Sequence, residues 1–160
     1  MRRRAALRAD DSLRRMPRPR YLVGVDFSPE SLRALDAARR LARRTGASIT
    51  IAHVRPNSDV RAAVVEERGE LLRGSSRALA SEIRRHYEAR LEAAARKGEK
   101  TLLLRGGPPF ALAGEARRGY DLVVLGRGGR GGVEPIFLGS TVTRTIAQST
   151  APVLVIPRVR

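Results

Sequence analysis

Apolar and polar positions along the chain follow two rhythms. Short runs of aliphatic and β-branched residues are separated by longer stretches in which apolar residues recur every three or four positions, the pattern of a parallel sheet with helices packed on its faces. The first run, Tyr21–Asp26 (YLVGVD), ends in a carboxylate and reads as a buried strand. Ser28 before Pro29 and Glu30 reads as an N-cap followed by proline in the first helical turn, although Ser28 and Ser31 lack the glutamate of a full capping box. Ala34, Leu35, Ala38, Leu41 and Ala42 mark the inner stripe of that helix, with Arg33, Arg39, Arg40, Arg43 and Arg44 in other positions. Gly46 closes it.

Ser48–Val54 (SITIAHV) is the second predicted strand. Pro56, Asn57 and Ser58 signal a turn, and Val60–Leu72 fits a short helix interrupted at Gly69. A clearer helix spans Ser75–Lys97, where Ala80, Ile83, Tyr87, Leu91 and Ala94 share one face and Gly98 ends it. Thr101–Arg105 is the third strand, Pro109–Arg118 a helix ending at Gly119, and Asp121–Leu125 (DLVVL) the fourth strand. A glycine-rich loop follows from Gly126 to Gly132, then a helix over Ser140–Ser149, and Val153–Pro157 as the fifth strand. The expected architecture is α/β: a Rossmann-like open five-stranded parallel sheet with helices on both faces. Residues 21–158 form one domain without an internal repeat, preceded by a basic tail, 1–20, expected to be disordered.

Composition narrows the function classes. A chain of 160 residues with 42% hydrophobic and 30% charged residues fits a globular domain and excludes a collagen or a wholly disordered protein. No apolar run approaches the ~20 residues of a membrane-spanning helix. Cysteine is absent and only His53 and His86 are present, which removes disulfide frameworks, thiolate zinc sites, cysteine nucleophiles and multi-histidine metal sites. The net charge of +16 favours polyanions, nucleotide phosphates or acidic surfaces. The tail MRRRAALRADDSLRRMPRPR is a candidate nucleic-acid-binding arm, lacks the apolar stretch of a secretory signal, and so points to the cytoplasm.

Candidate chemistry gathers at the carboxyl ends of the strands, where open α/β sheets bind ligands. Asp26 ends the first strand and the glycine loop follows the fourth. Glycines let a backbone approach a ligand closely. Gly139-Ser140 opens a helix whose unpaired amides favour an anion, and Arg127 and Arg130 add charge nearby. A P-loop is excluded because the segment has no Gly-Lys pair. Gly126, Gly128 and Gly131 meet the dinucleotide fingerprint literally, but Glu134 is the last acidic residue, so the acid that should follow is missing. The tandem Arg-Gly-Gly is also an RNA-binding signature of disordered segments, whereas here a strand and a helix bracket it. A plain turn is the bland reading of the loop. Asp26 could equally cap a turn, His53 pack at its strand end, Ser140 serve as an N-cap, and Arg105, Arg117 and Arg118 be solvated.

The spacing Gly126-x2-Gly129-x9-Gly139-Ser140 resembles the nucleotide-binding signature of the universal stress protein family. The resemblance covers roughly residues 20–158 and includes the YLVGVDFSPES opening, a second strand ending in His-Val, Gly-x-Pro after the third strand, an Asp-Leu-Val-Val-Leu-Gly fourth strand and the ending Ala151-Pro-Val-Leu-Val-Ile-Pro. It departs at Gly24, where the family often has proline two positions before the aspartate.

The resemblance implies ATP, ADP or AMP, with or without magnesium, held at the carboxyl edge of the sheet. On the family pattern Val25 and Asp26 lie beside adenine and ribose, and Val54 flanks the adenine. Leu125, Gly126, Arg127, Gly129 and Arg130 surround ribose and phosphates, and Gly139, Ser140, Thr141 and Val142 present amides and hydroxyls to the phosphates. It also implies a homodimer through the fifth strand at the sheet edge. Phosphoryl transfer needs a metal-holding carboxylate and a base or water-positioning group. Asp26, with Glu134 more distantly, is all the site offers, so no catalytic residue is assigned, and a regulatory nucleotide-binding protein with at most slow hydrolysis is expected. The alternative is a nucleotide-free interaction module whose basic surface meets nucleic acid or an acidic partner.

Overall fold

The structure, a computed structural model, describes residues 17–55, 76–128 and 138–157. The basic tail to residue 16, the turn at Pro56–Ser58, the short helix over Val60–Leu72 and loop residues 129–137 lie outside the described residues. The elements are β1 (Arg20–Gly24), α1 (Pro29–Thr45), β2 (Ser48–Arg55), α2 (Ser76–Ala94), β3 (Lys100–Arg105), α3 (Pro108–Ala116), β4 (Leu122–Gly126), α4 (Ser140–Gln148) and β5 (Val153–Ile156). The five strands form one sheet in the order β3-β2-β1-β4-β5, and all four pairings are parallel. The five-stranded parallel architecture read from the hydrophobic pattern is the one observed, and β5 lies at an edge, as the family resemblance implies.

Strand alternation sorts the core into two layers. Tyr21, Val23, Val25, Ile49, Ile51 and Val124 face α1 and α2, where Ala34, Leu35, Ala38 and Leu91 complete the cluster. Leu22, Ala52, Val54, Val123 and Leu125 face the other way, onto Leu112 and Ala116 of α3 and Val142 of α4. Two helix ends follow the sequence signals. Ser28 caps α1, its side chain accepting from the Ser31 amide, and Gly46 ends that helix at φ 73°. Helix α2 stops at Ala94, short of the expected Lys97, because the Glu99 carboxylate takes the Arg96 amide at 2.8 Å and turns the chain early.

Arg39 departs from the expectation of an outward arginine. It is buried, and its guanidinium grips Glu99 at both oxygens, Nε to Oε1 at 2.8 Å and Nη2 to Oε2 at 2.6 Å. Nη2 also donates to the Ala94 carbonyl at 2.7 Å, and Nη1 to Asp36 at 3.3 Å. This clasp ties α1 to the turn between α2 and β3. Burial works against the Glu99 carboxylate, but the Arg39 and Arg96 donors outweigh it and hold the group below the ordinary glutamate range.

Because the folded value is the lower one, the clasp contributes fully above the unfolded glutamate value of ~4.3 and is lost as pH falls through the folded value. Arg39→Met leaves Glu99 buried without its partner. It should cost about 3–5 kcal/mol in urea unfolding at neutral pH, with a smaller loss of stability on acidification than the wild type shows. A variant with the wild-type acid limb would contradict the clasp.

Candidate functional site

Strand order reverses between β1 and β4: from β1 the chain builds outward through β2 and β3, and then returns to place β4 on the other side. At such a switch point the loops leaving the carboxyl ends diverge and open a crevice. Register brings the expected residues to its rim. Gly24 pairs with Ala52, so Asp26 falls level with Val54, and Val23 pairs with Val124, so Gly126 closes β4 beside Val25.

Asp26 is half-buried and forms the turn into α1. Its Oδ1 accepts from the Ser28 hydroxyl at 2.5 Å and the Ser28 amide at 3.0 Å, while its own amide donates to Ser31 Oγ at 3.2 Å. Ser31 Oγ in turn donates to the Ser28 carbonyl at 3.0 Å. These bonds organise the helix entry without the glutamate of a capping box, since Asp26 rather than a glutamate takes the N-cap amide. Burial raises the Asp26 carboxyl, but the Ser28 and Ser31 hydrogen bonds prevail and hold it below its ordinary range, so it is an anion at neutral pH. The turn-capping role is therefore real, and it fixes a charged carboxylate at the mouth of the crevice. Phe27, between the two partners, has a φ of 62°. That left-handed conformation costs an L-residue roughly 1–2 kcal/mol.

Across the crevice, Arg127 binds the base of the loop. Its amide donates to Ile156 of β5 at 3.0 Å and its carbonyl accepts the Gly139 amide at 3.1 Å. The Gly139 amide is thus engaged within the protein, contrary to the expectation that it faces a ligand. Gly139, not Ser140, is the N-cap of α4, and it supplies no side-chain cap. The amides of Ser140, Thr141 and Val142 lie in the first turn, where no preceding helical carbonyl can accept from them. A Cβ on Gly128 would meet nothing within 4 Å, and one on Gly139 would come no nearer than 3.5 Å, to the Arg127 carbonyl. A helix start to which Gly139 gives no side-chain cap, with no other described residue within 4 Å of a Cβ on Gly128, has the positive end of its dipole free to suit a phosphate or carboxylate as far as the described residues go.

The remaining expected residues take distinct places. Val54, Leu125 and Val142 are buried together in the cluster under α3 and α4. Val25 belongs to the opposite cluster, and its backbone is engaged on both sides, the amide by Ala52 at 2.8 Å and the carbonyl by His53 Nδ1 at 2.7 Å. Since a carbonyl only accepts, His53 carries its proton on Nδ1 there, and it packs at the strand end as expected. Arg105, Arg117 and Arg118 are exposed. Gly129 and Arg130 lie outside the described residues. Among the described residues no group of three or more His, Asp or Glu could hold a metal, and no helix is long and apolar enough to cross a membrane.

Gly126 has a structural duty that the loop motif concealed. A Cβ there would lie 2.7 Å from the Glu30 carbonyl oxygen and 3.0 Å from the Ser31 amide nitrogen, in the first turn of α1. Gly126→Ala should therefore destabilise the fold by about 1–3 kcal/mol through overpacking, whereas Gly128→Ala should be close to neutral. Urea unfolding of the pair checks this, and equal stabilities would refute the close approach.

Comparison with known proteins shows the family and the fold. The sequence profile of the universal stress protein family matches residues 18–157. Universal stress protein YxiE of Bacillus subtilis is 30% identical over 152 residues, spanning 86% of this chain and 97% of its own. Among solved structures, a universal stress protein in complex with cAMP is 26% identical, with a TM-score of 0.55 over 86% of this chain and 95% of its own. The hypothetical protein MJ0577 shares the fold with a TM-score of 0.71 at 20% identity, covering 89% of this chain and 97% of its own. The profile spans the Asp26 turn, β1, β4 and the Gly139-Ser140 helix start, and the chain belongs to the universal stress protein family.

Proposed function

We propose that the protein binds an adenine nucleotide, ATP, ADP or AMP, at the β1–β4 crevice and serves as a cytoplasmic stress-response regulator. The observation that carries this reading is the meeting of two features at one switch point: the first-turn amides of Ser140, Thr141 and Val142, to which Gly139 gives no side-chain cap, and the fixed Asp26 anion at the end of β1. A structural relative bound to cAMP supports an adenine nucleotide as the class of ligand. In this reading the α4 amides and the Ser140 and Thr141 hydroxyls hold phosphate oxygens, and Arg127 and Arg130 neutralise their charge. Gly129 lets the loop lie close to the ribose. Val54 and Leu125 floor the adenine, and Asp26 accepts from ribose or adenine donors. The nucleotide binds with or without magnesium.

The site is a binder and not a committed hydrolase. Phosphoryl transfer asks for a positioned base as well as a metal-holding carboxylate. Asp26 already accepts two bonds from Ser28, and His53 Nδ1 is committed to the Val25 carbonyl. Hydrolysis, where it occurs, is slow.

ATP at a hundredfold excess over its Kd should stabilise the protein by about 2.7 kcal/mol, read as a rise in Tm of roughly 5–10 °C for a domain of this size. Gly129→Val should abolish the rise while the circular dichroism spectrum stays unchanged. A Tm unmoved by saturating ATP, ADP and AMP refutes the reading, and a nucleotide released on denaturing the purified protein would identify the physiological ligand.

We also propose a homodimer through β5. Val153–Ile156 is an apolar edge strand whose four residues are only half-buried, and such an edge needs a cover. Light scattering at micromolar concentration should give twice the chain mass, and a charged substitution at Val155 should give the monomer.

A further inference from the structure

We propose that Phe27 and Arg90 are positioning residues for Asp26, so that helix α2 sets the orientation of the carboxylate at the crevice. The functional half of this inference rests on the nucleotide reading above. Among the described residues Phe27 alone is a non-glycine with positive φ, and it sits between Asp26 and Ser28, the two partners of the turn. Two side chains contact its ring. The Arg90 guanidinium carbon stands 4.2 Å from the ring centroid, within cation–π range. The His53 ring is also in contact range, 4.9 Å away and tilted by 40°. His53 itself stacks on Tyr87 of α2 at 4.5 Å. Two side chains of α2 thus reach Phe27, one directly and one through β2.

The clamp explains why an unfavourable backbone conformation persists. With the ring released, Phe27 would relax to negative φ and swing the Ser28 amide and hydroxyl away from Asp26 Oδ1. The carboxylate would lose the donors that aim it, though nothing in the crevice itself had changed. Arg90 is not needed to dock α2, because Ile83 and Leu91 are buried while Arg90 is half-exposed. Coupling of this kind is reciprocal: a displacement of α2 changes affinity at Asp26, and occupancy of the crevice resists that displacement.

The test combines three variants with a double-mutant cycle. Phe27→Ala keeps an L-residue's aversion to this φ but removes the ring, Arg90→Gln removes the cation, and Arg90→Lys restores it. ATP affinity should fall about 5- to 10-fold in Phe27→Ala and Arg90→Gln, and return most of the way in Arg90→Lys. In an Asp26→Asn background neither variant should weaken binding further, since the effect passes through that carboxylate. Without nucleotide, the Asp26 carboxyl carbon resonance should move in both variants and recover in Arg90→Lys. Full additivity with Asp26→Asn, or a resonance unmoved in both variants, would overturn the positioning role. A wild type that binds no ATP overturns the nucleotide reading instead, and the ligand-free resonance then decides the positioning role alone.

Discussion

The carboxyl edge of this sheet depends on how closely the end of β4 approaches the first turn of α1. Gly126 leaves so little room that a single methyl would press on the Glu30 carbonyl and the Ser31 amide. That proximity sets the distance between the two strands that flank the crevice, and it presents the Ser28–Ser31 turn, with Asp26 attached, to the space beyond β4. The Arg127 backbone continues the constraint by joining β4 to β5 and to the start of α4. Everything the crevice can do follows from that spacing.

The two ends of the sheet are held by different means. At the amino edge a buried guanidinium and a carboxylate lock α1 to the α2–β3 turn, an arrangement that tolerates no lost partner. At the carboxyl edge the groups are backbone amides, hydroxyls and one half-buried aspartate, joined by short hydrogen bonds within the turns. Parallel strands with crossover helices place every helix N-terminus at this second edge, so its field favours anions before any arginine is counted. The charge balance of the whole chain strengthens the effect without creating it.

Most of the fold was legible because its signals are local. The YLVGVD, SITIAHV, DLVVL and VLVI runs announce strands, while Ser28-Pro29 and Gly46 announce a helix start and stop. The placement of Asp26, Val54 and Gly126 at the carboxyl ends of their strands was legible for the same reason, since strand and loop alternate without ambiguity. What escaped was set by tertiary partners. Nothing in the periodicity of α1 distinguishes Arg39 from its outward neighbours, because the residue that buries it, Glu99, is sixty positions away. Ser140 carries the chemistry of an N-cap, but the Arg127 carbonyl captures the Gly139 amide and shifts the helix start by one. The left-handed Phe27 carries no compositional signal; Asp26 followed two residues later by serine hints at the turn, but not at the residue between them.

Gly24 carries a consequence for the history of the chain. A side chain there would bring its Cβ within 2.6 Å of Leu125 and 3.2 Å of Leu112, two leucines that fill the layer beneath α3. The glycine and the leucines therefore form one volume, shared among three positions on three elements. A proline at this position has to push aside the ends of those leucines, by a change of rotamer or a smaller side chain at 112 or 125. Positions 24, 112 and 125 should drift together, as a compensated set, wherever descendants of this sequence diverge.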